Sequence, residues 1–213
     1  MAVAEALDAI LVRRWVERAA SELHRQRDFL TQLDAAIGDA DHGVNMDRGF
    51  SAARDAIRPD DAGPGRLLDE VGSTLILRVG GAAGPLYGVA FRRAAASLGD
   101  ASSAGAEETL VALRAGLAGI QKLGAAVGGD KTIVDAFAPA LGAFERALRA
   151  GGNLEAAAAQ AAQAADAGAK ATIPLQARKG RASYLGPRSV GHQDPGATST
   201  ALLFEALARA VSA

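Results

Sequence analysis

The sequence contains no cysteine, which excludes disulfide bonds and thiolate metal sites. Aromatic residues make up only 4% of the 213 residues, although 49% are hydrophobic and many of these are alanine. This composition favours closely packed helices, because alanine has the highest helix propensity and a small side chain. The length suits one compact domain, so we expect residues 1–213 to form a single helical domain rather than several.

An excess of charge of either sign is also missing. The formal net charge is −1, which argues against a surface built to grip nucleic acid. No run of about 18 apolar residues predicts a membrane span. The N-terminal segment MAVAEALDAI has no basic region of the kind that begins a signal peptide. These features predict a soluble cytoplasmic protein that binds neither nucleic acid nor a membrane.

Helical periodicity recurs along the chain, whereas the alternation typical of strands hardly appears. In the first stripe, apolar residues from Leu7 to Leu23 recur at steps of three or four. Short Gly- and Pro-rich segments, such as 58–66, separate the stripes, so consecutive helices should be antiparallel neighbours. The sequence therefore predicts an all-α, eight-helix up-and-down antiparallel bundle, with helices near 7–27, 46–57, 66–79, 85–98, 106–123, 132–149, 154–171 and 197–212.

One long segment, residues 172–196, lacks this periodicity and is called the basic loop below. It contains Arg178, Lys179, Arg181 and Arg188. Roughly 25 residues without regular structure inside a compact domain are usually either functional or disordered. Because arginine can clamp phosphate, the loop could bind a phosphorylated ligand. The alternatives are a solvated basic loop and a docking patch for an acidic partner.

Asp34, Asp39 and Asp41 form an acidic trio within eight residues that contain no lysine or arginine. Gly38 and Gly43 are expected to interrupt helix on both sides, which predicts a loop whose carboxylates point inward. Like charges so close raise one another's pKa unless a cation intervenes. Oxygen ligands indicate Mg²⁺ or Ca²⁺, and the spacing excludes an EF-hand. Because Mg²⁺ commonly shares its coordination shell with phosphate, we expect a magnesium-bound phosphate compound.

A solvated acidic turn is the alternative interpretation of the trio. In that case Asp39 or Asp41 would only cap the helix that follows. The residues that come next, His42, Gly43 and Asn45, favour the metal site over a simple turn.

Two other segments carry weaker signals for phosphate. The small-residue loop Gly80–Pro85 could expose N–H groups at a helix start, although such starts are mostly packing devices. The segment GAAVGGDKT at 124–132 is not a P-loop, because Asp130 replaces the required glycine and no strand precedes it. His24 is expected on the surface of the first helix, without a function. No Ser/His/Asp or Cys/His arrangement supports nucleophilic catalysis.

Four segments closely resemble the L-subunit family of dihydroxyacetone kinases, and the resemblance extends over nearly the entire chain. They are IGDADHGVNMDRGF (37–50), GGAAGPLYG (80–88), GDKTIVDAFAPA (129–140) and QARKGRASYLGPRSVGHQDPGATS (176–199). The family fold is an eight-helix up-and-down barrel. The resemblance implies that the acidic trio holds two Mg²⁺ ions that bridge the phosphates of ADP or ATP.

The resemblance also implies which residues line the ADP site. These are His42, Gly43, Val44, Asn45, Ala82, Ala83, Gly124, Ile133, Arg181, Asp194, Pro195 and Gly196. Ile133 stands where methionine is expected, and both are apolar enough to pack against adenine. Gly128 stands where proline is frequent, which could loosen that region. Neither departure affects the metal site.

The resemblance implies that bound ADP is rephosphorylated in place in this family. The donor is a phosphohistidine of a multiphosphoryl M subunit of the phosphotransferase system. The phosphoryl group then passes to dihydroxyacetone, which the K subunit holds covalently through a histidine. This chain would supply nucleotide and metals but no substrate pocket and no general base. Arg178, Lys179 and Arg188 are expected to cover the nucleotide and to face a partner subunit.

Two alternatives remain open at the level of sequence. The first is a kinase that exchanges ATP between turnovers and acts on dihydroxyacetone or another small keto sugar. It is disfavoured because the sequence shows no second, substrate-binding domain. The second is a nucleotide-sensing partner of a transcription regulator.

Overall fold

The computed structural model describes residues 4–57 and 62–213. Within these ranges the strands β1 (Leu7–Asp8) and β2 (Ser103–Ala104) pair antiparallel, and a 3₁₀ segment spans Arg181–Ser189. The nine α-helices of these ranges are α1 (Ala9–Arg25), α2 (Arg27–Ile37), α3 (His42–Ala56), α4 (Pro64–Arg78), α5 (Ala83–Leu98), α6 (Ala106–Gly124), α7 (Val134–Arg149), α8 (Leu154–Ala171) and α9 (Pro195–Val211).

The helices form a closed ring. From α3 onward each helix packs against its predecessor, and α9 packs against α1. Helices α1 and α2 together occupy one position in this ring. Only Gln26 separates them, and its N–H still donates to the Glu22 carbonyl oxygen at 2.9 Å, so the chain bends without reversing. The ring therefore has eight positions, and the predicted all-α up-and-down architecture is confirmed.

The region around the acidic trio differs from the prediction. Helix α2 was not predicted, and the predicted loop from Asp34 through Gly43 is wrong. Asp34 lies in α2 and Gly43 lies in α3, so the loop between the two helices contains only residues 38–41. Gly43 does not break its helix; it permits close packing, because a Cβ at that position would lie 2.0 Å from the Arg27 carbonyl oxygen.

Two smaller differences concern the ends of predicted elements. Leu7 belongs to β1 and not to the first helix, and the basic loop contains the 3₁₀ segment. Residues 58–61, the first part of the predicted break at 58–66, lie outside the described residues.

Small residues bring the helices close together, and the few aromatic side chains fill the barrel axis. Ala157, Ala161 and Ala165 are fully buried along α8. Around the axis, ring centroids lie 5.4 Å apart for Trp15 and Phe91 and 5.0 Å apart for Phe137 and Phe204. Each large apolar side chain buried in this way contributes about 1.5–3 kcal/mol. Only a cavity of about 40 Å³ remains between them.

The alternating helix directions give the barrel two distinct ends. Helices α3, α5, α7 and α9 begin at the end that also carries the acidic trio and the basic loop, called the cleft end below. Helices α1, α4, α6 and α8 begin at the opposite end, called the far end. None of the helices in the described ranges combines the length and apolar character that crossing a bilayer requires.

Candidate functional site

The acidic trio converges at the cleft end. Asp34 projects from the last turn of α2, Asp39 from the loop, and Asp41 from the residue before α3. One carboxylate oxygen of each residue lies within 4.8 Å of the other two. Asp34 is buried and Asp39 is exposed. Carboxylate oxygens in such a cluster are the ligands that Mg²⁺ and Ca²⁺ prefer, so the donor set fits a hard divalent cation.

Local hydrogen bonds hold the Asp34 carboxylate in place. Its Oδ2 accepts the N–H groups of Asp41 at 2.9 Å and His42 at 3.2 Å. Gly38 is close to its Oδ1, because a Cβ on Gly38 would lie 2.0 Å from that oxygen. Asp41 occupies the N-cap position of α3, but its side chain makes no capping hydrogen bond. The alternative interpretation, an aspartate that serves only to cap α3, therefore does not describe Asp41.

A cation from the basic loop reaches the trio. Arg181 Nε lies 3.0 Å from Asp39 Oδ2. The two side chains are 67% and 37% exposed, so the pair contributes no more than about 1 kcal/mol to stability. Its importance is spatial, because it brings the start of the 3₁₀ segment across the acidic trio.

The trio opens into a cleft of about 300 Å³. Gly43 and Val44 are not part of its lining, since Gly43 packs against α2 and the Val44 side chain is 47% exposed. Lys179 lines the cleft, whereas Arg178 and Arg188 are exposed outside it. The lining contains the trio together with most of the predicted ADP-site residues, namely His42, Asn45, Ala82, Ala83, Gly124, Ile133, Arg181, Asp194, Pro195 and Gly196.

The four helices that begin at the cleft end direct their N-termini to this space. The N-cap residues of α3 and α5 make no side-chain cap, so N–H groups of these first turns are available to a ligand, whereas the Val134 N–H of α7 donates to Thr132 Oγ1 at 3.2 Å. The positive end of a helix dipole also favours an anion. At the start of α5 the backbone comes close to Asn45, because Gly80 has no side chain and a Cβ there would lie 2.7 Å from Asn45 Oδ1. A cation site beside these helix starts suits a phosphorylated ligand.

Backbone strain is concentrated around the cleft. Within the described ranges, the non-glycine residues with positive φ are Ala40 (62°), Ala125 (46°) and Lys131 (63°). Each lies in a loop at the cleft end, and each left-handed residue costs about 1–2 kcal/mol. Strain of this kind persists where the surrounding structure enforces it, commonly at functional sites.

A buried hydrogen-bond network connects α3, α5 and α9 beneath the cleft. The Tyr87 hydroxyl lies 2.8 Å from both Ser199 Oγ and Thr200 Oγ1. Ser199 Oγ in turn lies 2.9 Å from His42 Nε2. Burial lowers the pKa of His42, although Asp34 and Asp41 act in the opposite direction. A lowered pKa favours the neutral form of His42, and its contact with Ser199 connects the start of α3 to α9.

Asp194 caps α9 at the floor of the cleft, and its Oδ2 accepts the Ala197 N–H at 2.7 Å. Burial raises its pKa to about 7, and nearby Asp135 acts in the same direction. The Ala197 N–H and the Lys131 ammonium group partly offset that effect. Asp194 is thus a fourth acidic group at the cleft, but its capping bond orients it toward α9.

The cleft lining also contains Lys131, Thr132 and an apolar wall, which the sequence did not predict as site residues. The wall consists of Ile37, Leu86, Ile120 and Ala126. Lys131 is 1% exposed, burial lowers its pKa, and its ammonium group donates to backbone carbonyls of the basic loop. The rejection of a P-loop holds, since residues 124–132 follow α6 and not a strand. No local pattern in GGDKT indicates a buried ammonium group.

His24 lies on the surface, as expected. Its side chain is 69% exposed, and its Nδ1 lies 3.2 Å from Asp47 Oδ1. It takes no part in the cleft.

Comparison with known proteins finds the DAK2 domain over residues 36–209. Over 197 residues the chain is 42% identical to the ADP-binding subunit DhaL of the PEP-dependent dihydroxyacetone kinase of Escherichia coli (strain K12), which spans 92% of this chain and 94% of that protein. It is 40% identical over 202 residues to the ADP-binding subunit DhaL of the PTS-dependent dihydroxyacetone kinase of Lactococcus lactis subsp. lactis (strain IL1403), spanning 93% of this chain and 95% of that protein.

A solved structure is also similar along nearly the whole chain. It is the dihydroxyacetone kinase from C. freundii in complex with AMP-PNP and Mg²⁺, with a TM-score of 0.70 and 28% sequence identity. The similarity covers 97% of this chain and 35% of that chain, so this chain corresponds to about a third of the solved kinase.

Proposed function

Because the chain belongs to the DAK2 domain family, we propose that it is the ADP-binding subunit of a dihydroxyacetone kinase and thus a phosphotransferase. The chain holds Mg²⁺ and ADP or ATP as a relay between a phosphohistidine of the M subunit and dihydroxyacetone on the K subunit. Similarity to ADP-binding subunits of PEP- and PTS-dependent enzymes supports this function. The observation that carries it is the acidic trio at a cleft beside the N-termini of α3 and α5, which have no side-chain cap.

Asp34, Asp39 and Asp41 hold two Mg²⁺ ions in this proposal. Mg²⁺ is usually bound by one or two carboxylates and keeps its other positions for water and phosphate. Three carboxylates within 4.8 Å are therefore enough for two ions if one carboxylate is shared. When bound, Mg²⁺ neutralises charge on the phosphate oxygens, which together with positioning is the main requirement of phosphoryl transfer.

The other residues of the cleft bind and orient the nucleotide. The start of α3, where His42 and Asn45 line the cleft, presents the positive end of a helix dipole that is suited to phosphate. Ile133, together with Leu86 and Ile120 of the apolar wall, is suited to contact adenine. Arg181 lies beside the trio and adds positive charge there. In this proposal the whole chain, 1–213, acts as one nucleotide-binding domain.

The K subunit docks at the cleft end, because the acceptor must reach the nucleotide phosphates. Most exposed large apolar side chains lie at that end, including Tyr184, which is 88% exposed. Their exposure next to Arg178 and Arg188 suits a partner with acidic and apolar groups. The group comprises Val44, Ile76, Leu77, Leu123, Val127, Ile173, Tyr184 and Val190.

Isothermal titration calorimetry tests the nucleotide site directly. Protein stripped of nucleotide and metal is titrated with ADP, once with Mg²⁺ and once without. We expect uptake of ADP that depends on Mg²⁺, with a Mg²⁺ stoichiometry of two for each ADP. Folded protein that binds no ADP in the presence of Mg²⁺ would overturn the proposed function, and a stoichiometry of one would overturn the second ion alone.

The role of the basic loop has its own test. Replacing Arg178 and Arg188 by glutamine removes two exposed charges outside the cleft, and replacing Lys179 removes one inside it. We expect the first pair to weaken binding of a K subunit while ADP binding is preserved. We expect Lys179→Gln to weaken ADP binding as well. Unchanged affinity for the K subunit would contradict the docking role.

A second candidate is a kinase that releases ADP and takes up ATP in each turnover. The similarity to the C. freundii kinase bound to AMP-PNP and Mg²⁺ favours it. Exchange of labelled ADP from purified protein separates the two, since slow exchange supports the relay and fast exchange supports the ATP-dependent kinase. Docking onto a transcription regulator and a cytoplasmic location stay predictions.

A further inference from the structure

Lys131 is a buried cation that is fully engaged by the basic loop. Its Nζ donates to the carbonyl oxygens of Thr172 at 3.0 Å, Leu175 at 3.1 Å and Ser189 at 2.7 Å, and also to that of His192. These four acceptors come from both halves of the loop. An ammonium group has three N–H donors and no acceptor, so the four carbonyls use its whole capacity.

This engagement distinguishes Lys131 from a lysine that binds phosphate. Its side chain is 1% exposed, and no N–H donor is left over for a ligand. The residue lies at the edge of the cleft, but its charged end points into the loop. Lys131 must therefore influence the cleft through the loop that it organises.

Further hydrogen bonds hold the basic loop closed around Lys131. The Asp194 N–H donates to Thr172 Oγ1 at 2.9 Å, which joins the two ends of the loop. The Ala177 N–H donates to Ser189 Oγ at 2.9 Å, which joins its two halves. The Arg178 N–H donates to the Asp130 carbonyl oxygen at 3.0 Å, directly beside Lys131 in sequence. Beyond Arg178 the loop continues to Lys179 and Arg181, which line the cleft.

The backbone at Lys131 is consistent with a position that is enforced. Its φ is 63°, in the left-handed region that a lysine seldom adopts. The side chain reaches the loop from this conformation, and Thr132 follows it at the start of α7. The ammonium group thus couples the start of α7 to the basic loop.

We propose that Lys131 is a positioning residue that holds the basic loop over the cleft and thereby slows the release of nucleotide. The effect on nucleotide release rests on the proposed function, but the role of Lys131 in holding the basic loop does not. Without the ammonium group, the carbonyl oxygens of Leu175, Ser189 and His192 would lose this donor, whereas that of Thr172 would still accept the Leu175 N–H. A buried carbonyl that loses its donor is unfavourable. The loop would then open, and Arg181 would leave the acidic trio.

The test uses Lys131→Ala and Lys131→Gln in the full chain, with Lys170→Ala as the matched control. Lys170 is a nearby lysine at the end of α8 that is 64% exposed and pairs with Asp166. We expect labelled ADP to dissociate from the Mg²⁺ complex at least ten times faster in Lys131→Ala. Lys131→Gln should be intermediate, because its amide retains two donors. Lys170→Ala should match the unmodified protein.

Two further readouts separate positioning from a general loss of structure. Binding of Mn²⁺ without nucleotide, measured by electron paramagnetic resonance, reports on the acidic trio and should change less than threefold. Limited trypsin digestion without nucleotide should cut Lys131→Ala faster at Arg178, Lys179, Arg181 and Arg188. If Lys131→Ala does not fold, Lys131→Gln carries both comparisons.

Small cations provide a rescue experiment. Methylammonium can donate to the vacated carbonyls and should restore slow ADP release in Lys131→Ala, whereas tetramethylammonium has no N–H donor and should not. Unchanged ADP release and unchanged digestion in both variants would overturn the inference. An equal loss of Mn²⁺ binding and ADP binding without rescue would also overturn it. If the unmodified protein binds no Mg²⁺–ADP, the proposed function fails, and the digestion pattern still decides whether Lys131 holds the loop.

Discussion

The two ends of the barrel are built from the same helices but differ in backbone strain. At the far end, Asp8 caps α1 through the Leu11 N–H at 2.7 Å and Asn153 caps α8 through the Ala156 N–H at 2.9 Å, whereas α4 and α6 begin without a side-chain cap. Among the described residues of that end, positive φ occurs at Gly99 and Gly151. Glycine adopts this conformation without steric cost. The described part of the far end therefore shows little strain.

The cleft end retains strain and unsatisfied binding capacity. Ala40, Ala125 and Lys131, none of them glycine, adopt positive φ there. Three carboxylates lie within 4.8 Å of one another, and large apolar side chains are exposed. Each of these features reduces the stability of the chain alone and can be offset by a ligand or a partner. Changes at the cleft end should therefore alter ligand binding, with or without a change in stability, whereas changes at the far end should alter stability alone.

The largest effect is expected for Asp34→Asn at the cleft end. We expect Mg²⁺–ADP to bind at least 100-fold more weakly, which corresponds to about 3 kcal/mol. The amide oxygen can still accept the N–H groups of Asp41 and His42, so the free energy of unfolding should change much less. Calorimetry and denaturant unfolding measure the two quantities. Asp47→Asn, which removes a partly buried carboxylate beside His24 and outside the cleft, is the matched control. Loss of stability without loss of affinity would contradict the comparison.

The next effect concerns the buried cap at the cleft end. Burial raises the pKa of Asp194 to about 7, whereas an unfolded aspartate titrates near 3.9. Between these values the folded protein binds more protons than the unfolded chain, so the free energy of unfolding falls as the pH rises. Lys131, Asp135 and Asp34 are the charged groups that contribute to this shift, Lys131 against it and the two aspartates with it.

Asp194→Asn should remove this pH dependence, since asparagine can still cap α9 but carries no charge. In protein free of metal and nucleotide, we expect the variant to gain roughly 2 kcal/mol relative to the unmodified chain between pH 5 and pH 7. Urea unfolding at several pH values measures the difference. Parallel pH profiles for the two proteins would show that Asp194 ionises in the folded state as readily as in the unfolded state.

The sequence predicts the ring of helices well because each helix repeats its apolar residues at local steps of three or four. It does not predict α2, although Leu30, Leu33 and Ile37 have that spacing. Gly38 and Gly43 were interpreted as helix breakers. Gly38 does end α2, but Gly43 lies inside α3, where close contact with Arg27 excludes a side chain. A glycine that breaks a helix and one that packs closely are alike in sequence.

The candidate site also combines features that the sequence predicts with features that it does not predict. The acidic trio depends on residues 34–41 and is visible in local spacing. The contact of Arg181 with Asp39 and the engagement of Lys131 by the basic loop join segments that are distant in sequence. Neither follows from periodicity or composition, because both depend on how the closed ring brings the start of α7 and the basic loop to the α2–α3 connection. The family resemblance identified Arg181, whereas no observation in the sequence identified Lys131.

A smaller effect is expected for Asn153→Ala at the far end. Loss of the cap on α8 should lower the free energy of unfolding by about 1 kcal/mol. Mg²⁺–ADP affinity should stay within experimental error, because the cap is at the opposite end of the barrel. Asn153→Asp retains an acceptor and should keep the stability of the unmodified protein. A change in nucleotide affinity would show that the two ends are energetically coupled.

The smallest effect is expected for Ala40→Gly. This change places glycine at a position of positive φ in the cleft end, as is already the case at Gly99 and Gly151 in the far end. Glycine relieves a left-handed cost of about 1 kcal/mol, but it also loses roughly 0.5–1 kcal/mol more backbone entropy on folding. The free energy of unfolding should therefore change by less than about 0.5 kcal/mol. Mg²⁺–ADP affinity should fall by roughly threefold, because a more flexible loop presents Asp39 and Asp41 less rigidly. The matched change is Gly151→Ala, where φ is 83° and nothing lies within 4 Å of an added Cβ. It should affect stability alone, so loss of affinity in Gly151→Ala, or none in Ala40→Gly, would contradict the division between the two ends.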